Sequence, residues 1–185
     1  MASKKAIWGS LICGVIIGLG LAYVAAVAVE ETGKPEFCMS CHEMKPMAET
    51  FEISVHGGNN PQGFAATECT DCHLPHNSIA GYLVMKGISG TRDFLAHIGL
   101  IHKVDFKENF NEMQNYVYDS ACLKCHKGIR DPEHAIGLSE NIKKIHEEFY
   151  WKPKNEGQNV SCVKCHNDRI MTHFAHPNLL EVLSE

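Results

Sequence analysis

The chain has 185 residues and a formal net charge of -5, with 17 basic side chains scattered among 22 acidic ones. That length suits one domain on the scale of about 100–200 residues, and the charge excludes the basic patch that a nucleic-acid binder needs. Nine Cys and 12 His dominate what remains to be explained.

Lys4 and Lys5 precede an uncharged run from Ala6 to Val29, closed by Glu30 and Glu31. Its 24 residues exceed the ~20 that cross about 30 Å of hydrocarbon. Two Lys before the span and none just after it place residues 1–5 in the cytoplasm. Residues 30–185 then lie in the periplasm of a bacterium, held to the inner membrane by a single pass. The competing reading is a cleaved signal peptide, since Ala26-Val27-Ala28 resembles a cleavage site. Signal cores of about 7–15 residues are much shorter than this run. Gly14-x-x-x-Gly18 permits close helix contact, which would make a homodimer.

Eight of the nine Cys fall in four Cys-x-x-Cys-His runs: Cys38, Cys41 and His42; Cys69, Cys72 and His73; Cys122, Cys125 and His126; Cys162, Cys165 and His166. Each such run reads as a covalent attachment site for haem c, two thiols bonding the porphyrin and the adjacent His reaching the iron. Cys13 alone is left over, so no pair remains for a structural disulfide. Zinc would explain paired Cys-x-x-Cys units but would not demand a His after every one. With 12 His in 185, four coincidences have a probability of about 0.00002, whereas attachment requires all four. Four covalent haems are therefore expected. His42, His73, His126 and His166 are the proximal ligands by default.

The layout repeats. Residues 32–76 hold two runs with free His56 and His76, and residues 120–176 hold two more with His146 and His173. Between them, 78–104 is apolar with interspersed charge and reads as one or two short amphipathic helices at the membrane surface. Leu138, Ile142, Ile145 and Phe149 recur at helical spacing and predict a helix from about 138 to 150 that ends before Pro153. Little apolar periodicity remains, as expected where macrocycles supply the interior. The fold class is mainly α with long irregular segments: one transmembrane helix, then a tetrahaem domain of two dihaem halves.

Each iron has a second face, and ligand identity sets its potential, Met raising it relative to a second His. From spacing, His56, His146 and His173 are the distal candidates, with His176 competing against His173. His76 is ambiguous, and His97, His102 and His134 read as surface or interface residues. Met44 lies three residues past Cys41; it either ligates the first iron or packs on the porphyrin edge.

Lys86 and Asp93 are seven apart, which puts them on one helical face about 10.5 Å apart along the axis, too far for a salt bridge. A snorkelling Lys and an Arg92–Asp93 pair give one reading. The other is a quinol pocket. Quinol oxidation releases two protons, so a carboxylate within reach of its hydroxyl suits the task.

Together these motifs resemble the NapC/NirT family of membrane-anchored tetrahaem quinol dehydrogenases, including its NrfH-type and CymA-like members. The similarity runs through Phe37-Cys38-Met39-Ser40-Cys41-His42-Glu43-Met44, Ser54-Val55-His56, Cys69-Thr70-Asp71-Cys72-His73-Leu74-Pro75-His76, Lys86, Arg92-Asp93, Ile145-His146 and the two later runs. It implies that Met44 ligates the first haem with His42 off the iron. It implies a menaquinol site lined by Lys86 and Asp93, with His76 beside it. The remaining pairs would be His73 with His146, His126 with His173, and His166 with His56. The chain departs from short NrfH-type members in its longer stretch between Gly57 and Thr67, and in the spacer Asn167–Thr172 ahead of His173.

The expected function is oxidation of menaquinol or ubiquinol, with electrons relayed to a periplasmic terminal reductase or its cytochrome subunit in anaerobic respiration of nitrate or nitrite. A soluble periplasmic multihaem shuttle without quinol activity is the alternative. A substrate-reducing multihaem enzyme would need an open haem in a substrate pocket, and no Cys-x-x-Cys-Lys run marks one.

Overall fold

A computed structural model of the chain describes residues 3–52, 54–57, 66, 68–102 and 104–166. Among them no strand forms, and every regular element is helical. Helix α1 (Lys4–Glu31) is 28 residues long with a mean hydropathy of 2.5 in its most apolar window and no buried residue. At 1.5 Å per residue it extends about 42 Å, more than the hydrocarbon thickness. Length and composition suit it to cross a membrane. Past its end, Thr32 donates its hydroxyl to the Ala28 carbonyl at 2.6 Å, and Lys34 pairs with Glu31 at 2.6 Å.

The remainder is a succession of short helices. α2 (Pro35–Cys38) starts on a proline, whose missing N–H costs nothing in a first turn. A 3-10 turn, His42–Met44, leads into α3 (Lys45–Glu52). α4 (Thr70–His73) is a single turn. α5 (Ile79–His97) is one continuous 19-residue helix where one or two were expected. The Ser78 hydroxyl caps it by accepting from Gly81 N at 3.0 Å, and Gly99 (φ +76) lies past its end. α6 (Phe106–Asn111) and α7 (Asp119–Cys125) follow.

α8 (Glu140–His146) runs through a π turn (Glu147–Trp151) into α9 (Lys152–Asn155), so the chain stays helical past the expected stop at Pro153. Pro153 sits in the first turn of α9, where no N–H donor is required of it, and the π turn before it changes the bonding register. Gly157, at φ +77, follows the end. α10 (Cys162–Cys165) is again a single turn.

Side chains fill little of the interior. The buried apolar residues are mostly small, such as Ala48, Ala96, Ala121 and Ala135. Among the described residues larger groups cluster around Tyr150 and Trp151, with Leu138, Val160 and Cys162 packed against them. Phe37, Phe94, Ile136 and Phe149 are meanwhile exposed in the protein alone.

Candidate functional site

In the three later runs the paired cysteines lie on or at the start of a short helix, where positions i and i+3 share a face. In three of the four runs the His backbone folds back on its first Cys. His73 N donates to Cys69 O at 3.2 Å, and His126 N and His166 N donate to Cys122 O and Cys162 O at 2.9 Å. His126 and His166 also share nearly one conformation, with φ/ψ of -84/52 and -98/52. The first run differs. Cys41 is extended (φ -94, ψ 125) and His42 opens a 3-10 turn that carries Met44 after it.

Two of the later runs meet a free imidazole from a distant segment. The ring centroids of His56 and His126 are 6.1 Å apart, and those of His146 and His166 are 6.2 Å apart. Two imidazoles on opposite faces of one metal, each nitrogen about 2 Å from it, would place their centroids about 6 Å apart. These partners are not the ones the family resemblance implied, which set His146 opposite His73 and His56 opposite His166. The juxtapositions arise because α8 packs its His146 beside the fourth run and the 54–57 turn reaches the third. That turn is tight. Ser54 donates its hydroxyl to Phe51 O at 2.8 Å and accepts from Gly57 N at 3.0 Å. A Cβ at Gly57 would lie 1.8 Å from Phe51 O, so only glycine fits.

Ring tautomers are set by backbone carbonyls. His146 Nδ1 donates to Ile142 O at 2.8 Å and His73 Nδ1 to Tyr116 O at 3.0 Å, so Nδ1 of each carries a proton. Burial pushes the His73 imidazole down from its ordinary pKa, with Tyr116 and Asp93 opposing. It is thus neutral, as a metal ligand must be. His76 is arranged differently: its Nε2 lies 3.1 Å from Thr70 O, its backbone N donates to the Ser120 hydroxyl at 3.0 Å, and its ring lies 5.4 Å from Tyr82.

The four runs form an unbroken line. Cys38 neighbours Cys69, Cys72 lies within electrostatic reach of Cys122 and Cys125, and Cys122 neighbours Cys162. Each junction is braced. Cys69 N donates to Gly33 O at 3.1 Å, and Lys124 pairs with Asp71 at 2.7 Å. Asp119 accepts from Cys162 N at 2.9 Å, from the Ser161 hydroxyl at 3.0 Å and from the Tyr150 hydroxyl at 3.3 Å. Paired imidazoles at metal-straddling separation, an interior thinly filled by side chains and thiols in pairs all fit covalent haem.

Beside the first run lies a cleft of about 290 Å³ between the end of α1 and α5, lined by Ala28, Val29, Thr32, Leu83, Lys86 and Gly87. The Lys86 ammonium is buried there without a hydrogen-bond partner and lies 5.9 Å from the Tyr82 ring centroid. Desolvation holds its pKa below the ordinary value, against the pull of Glu68 and Cys38. Asp93 is exposed by surface area, yet the protein around its carboxyl pushes it above the usual carboxylate range, with Arg92 and His73 opposing. Lys86 and Asp93 both act on Cys38, with opposite sign. Among the described residues no ion pair joins them.

His173 and His176 lie outside the described residues. Three participants escaped the sequence reading of the sites: Tyr82, which links the His76 ring to the Lys86 ammonium; Asp119, which ties the third run to the fourth; and Glu43, which meets His97. Tyr82 sits one helical turn before Lys86, and that spacing was the only available signal.

Residues 1–178 match the model of the NapC/NirT cytochrome c family, N-terminal region. The cytochrome c-type protein TorC of Escherichia coli (strain K12) is 30% identical over 165 residues, covering 89% of this chain and 34% of its own length. This chain therefore spans about a third of that relative. The tetraheme c-type cytochrome CymA of Shewanella oneidensis is 27% identical over 186 residues, covering 95% of this chain and 93% of its own. The cytochrome c nitrite reductase subunit NrfH of Nitratidesulfovibrio vulgaris is 32% identical over 132 residues, covering 60% of this chain and 77% of its own. No solved structure matches significantly.

Proposed function

Because the chain belongs to the NapC/NirT cytochrome c family, we propose that it is an inner-membrane tetrahaem cytochrome c that oxidises membrane quinol. It passes the electrons to a periplasmic terminal reductase. The observation that carries this reading is the Lys86 ammonium, buried and unpartnered in a cleft between the end of the apolar helix and α5, beside the first Cys-x-x-Cys-His run.

α1 (Lys4–Glu31) holds the chain in the bilayer. With Lys4 and Lys5 on the cytoplasmic side, residues 30–185 face the periplasm and the cleft opens at the lipid boundary. Cys38, Cys41, Cys69, Cys72, Cys122, Cys125, Cys162 and Cys165 bind four haems covalently. Met44 ligates the first, with His42 turned away. His126 with His56 and His166 with His146 hold the third and fourth, and His73 with His173 or His176 holds the second. Haem supplies one-electron redox chemistry when bound.

At the cleft, Lys86 Nζ donates a hydrogen bond to a quinol oxygen, which satisfies a buried polar atom that has no hydrogen-bond partner in the protein. Tyr82 keeps that ammonium in place and His76 packs behind Tyr82. Asp93, seven residues on and also beside Cys38, accepts the hydroxyl proton. A carboxyl pushed upward holds that proton better than an ordinary one. The apolar wall of Ala28, Val29 and Leu83 excludes water and suits an isoprenoid substrate. Likeness to a nitrite reductase subunit supports nitrite or nitrate as the terminal acceptor of the pathway.

The test is anaerobic addition of a reduced menaquinone or ubiquinone analogue to the detergent-solubilised haem-loaded chain. Growth of the reduced-haem absorption band is expected. An absence of reduction, together with release from membranes by high salt alone, would establish the soluble shuttle instead.

A further inference from the structure

The first Cys-x-x-Cys-His run carries a second set of ligand atoms that the reading above does not use. His97, at the end of α5, points its Nδ1 at Glu43, 3.1 Å from Oε2 and 3.3 Å from Oε1. From the other side His42 Nε2 lies 3.4 Å from Glu43 Oε1. One ligand atom from each of the three residues falls within 4.8 Å of the others. The His42 and His97 rings are 5.9 Å apart and inclined by 63°, so they converge rather than stack.

We propose that His42, Glu43 and His97 form a binding site for a divalent cation of the zinc type, with water in the fourth position. Tetrahedral zinc with bonds of about 2.0–2.1 Å sets its ligand atoms about 3.3 Å apart. Both contacts to Glu43 already lie at that separation. The wider gap between the two imidazole nitrogens closes by rotation of His42, whose side chain is 81% exposed and unobstructed. Two imidazoles and one carboxylate with an open position suit zinc or copper rather than magnesium or calcium, which favour all-oxygen cages. The three ligands come from segments 54 residues apart. A bound cation therefore clamps the end of α5, the helix bearing Lys86 and Asp93, onto the loop that carries Met44. The inference rests on the reading that Met44, not His42, ligates the first iron.

The experiment is calorimetric titration of ZnCl2 into the chelator-treated, haem-loaded full chain, followed by zinc X-ray absorption. The expected result is one zinc per chain bound through two imidazoles and oxygen, with affinity at least tenfold weaker in His97→Ala and in Glu43→Gln. Zinc uptake equal in wild type and His97→Ala, or a first shell with one imidazole, overturns the site. Met44→Leu in zinc-free protein separates the two readings. If it alters the haem spectrum while zinc fails to bind, only the cation site falls. If it leaves the spectrum unchanged, the Met44 reading falls, and the site falls with it.

Discussion

The imidazole rings of His146 and His166 lie 6.2 Å apart and only 16° from parallel. His146 is on α8 and His166 follows α10, so the pair forms only when the α8–α9 segment doubles back over the fourth run. That separation is the one expected of two ligands to a single metal ion, and in the proposed function both rings serve the fourth haem. His146→Ala and His166→Ala should therefore perturb the same haem, and the double variant should change the low-temperature spin-resonance spectrum of one haem, not two. Additive changes at two haems would instead assign His146 to another run, because effects on one shared site do not add.

Asp93→Asn should slow quinol oxidation by about 10²–10⁴-fold, the usual contribution of a positioned base, while all four haems remain attached. The sign of the pH dependence follows from the raised carboxyl pKa. Above that pKa Asp93 is ionised and accepts a proton. As pH falls through it the group is already protonated, and the rate drops. Steady-state rates across pH should show this acidic limb in wild type and lack it in Asp93→Asn.

Lys86→Met should not destabilise the fold, since the ammonium has no hydrogen-bond partner to lose and its burial is unfavourable. A thermal melt should show Tm unchanged or higher. Quinol KM should rise about tenfold or more, the effect of removing one charged hydrogen bond of about 1.5–3 kcal/mol. A lower Tm with normal KM would make Lys86 a structural residue.

Asp119→Ala removes the acceptor for Cys162 N, the Ser161 hydroxyl and the Tyr150 hydroxyl together, and an ion pair with Lys154 at 3.7 Å. Leaving part-buried donors unsatisfied costs about 1–3 kcal/mol. The haem-loaded protein should melt several degrees lower, with the third and fourth haems changed in potential and the first unaffected. Redox titration resolves the three.

Much of this was legible in the linear chain because its signals are local. A membrane-length apolar run, a thiol pair at i and i+3 with an adjacent imidazole, and a Lys and Asp seven apart on one helix need no knowledge of the rest of the fold. α5 was legible only in part. Its 19 residues form one helix because the glycines at 87 and 90 weaken a helix without breaking it, each costing about 1 kcal/mol relative to Ala. The continuation past Pro153 was not legible, since a π turn leaves no marker in composition.

By itself the sequence determined what the protein can bind: covalent attachment chemistry is written in residues that touch along the chain, and a membrane span is written in their polarity. Only the tertiary structure decided which imidazole faces which, that Lys86 is left without a partner, and that His42 turns toward Glu43 and His97. Those are relations between segments tens of residues apart. Spacing along the chain does not encode them, because short helices joined by irregular segments can fold back in many ways that keep every motif intact.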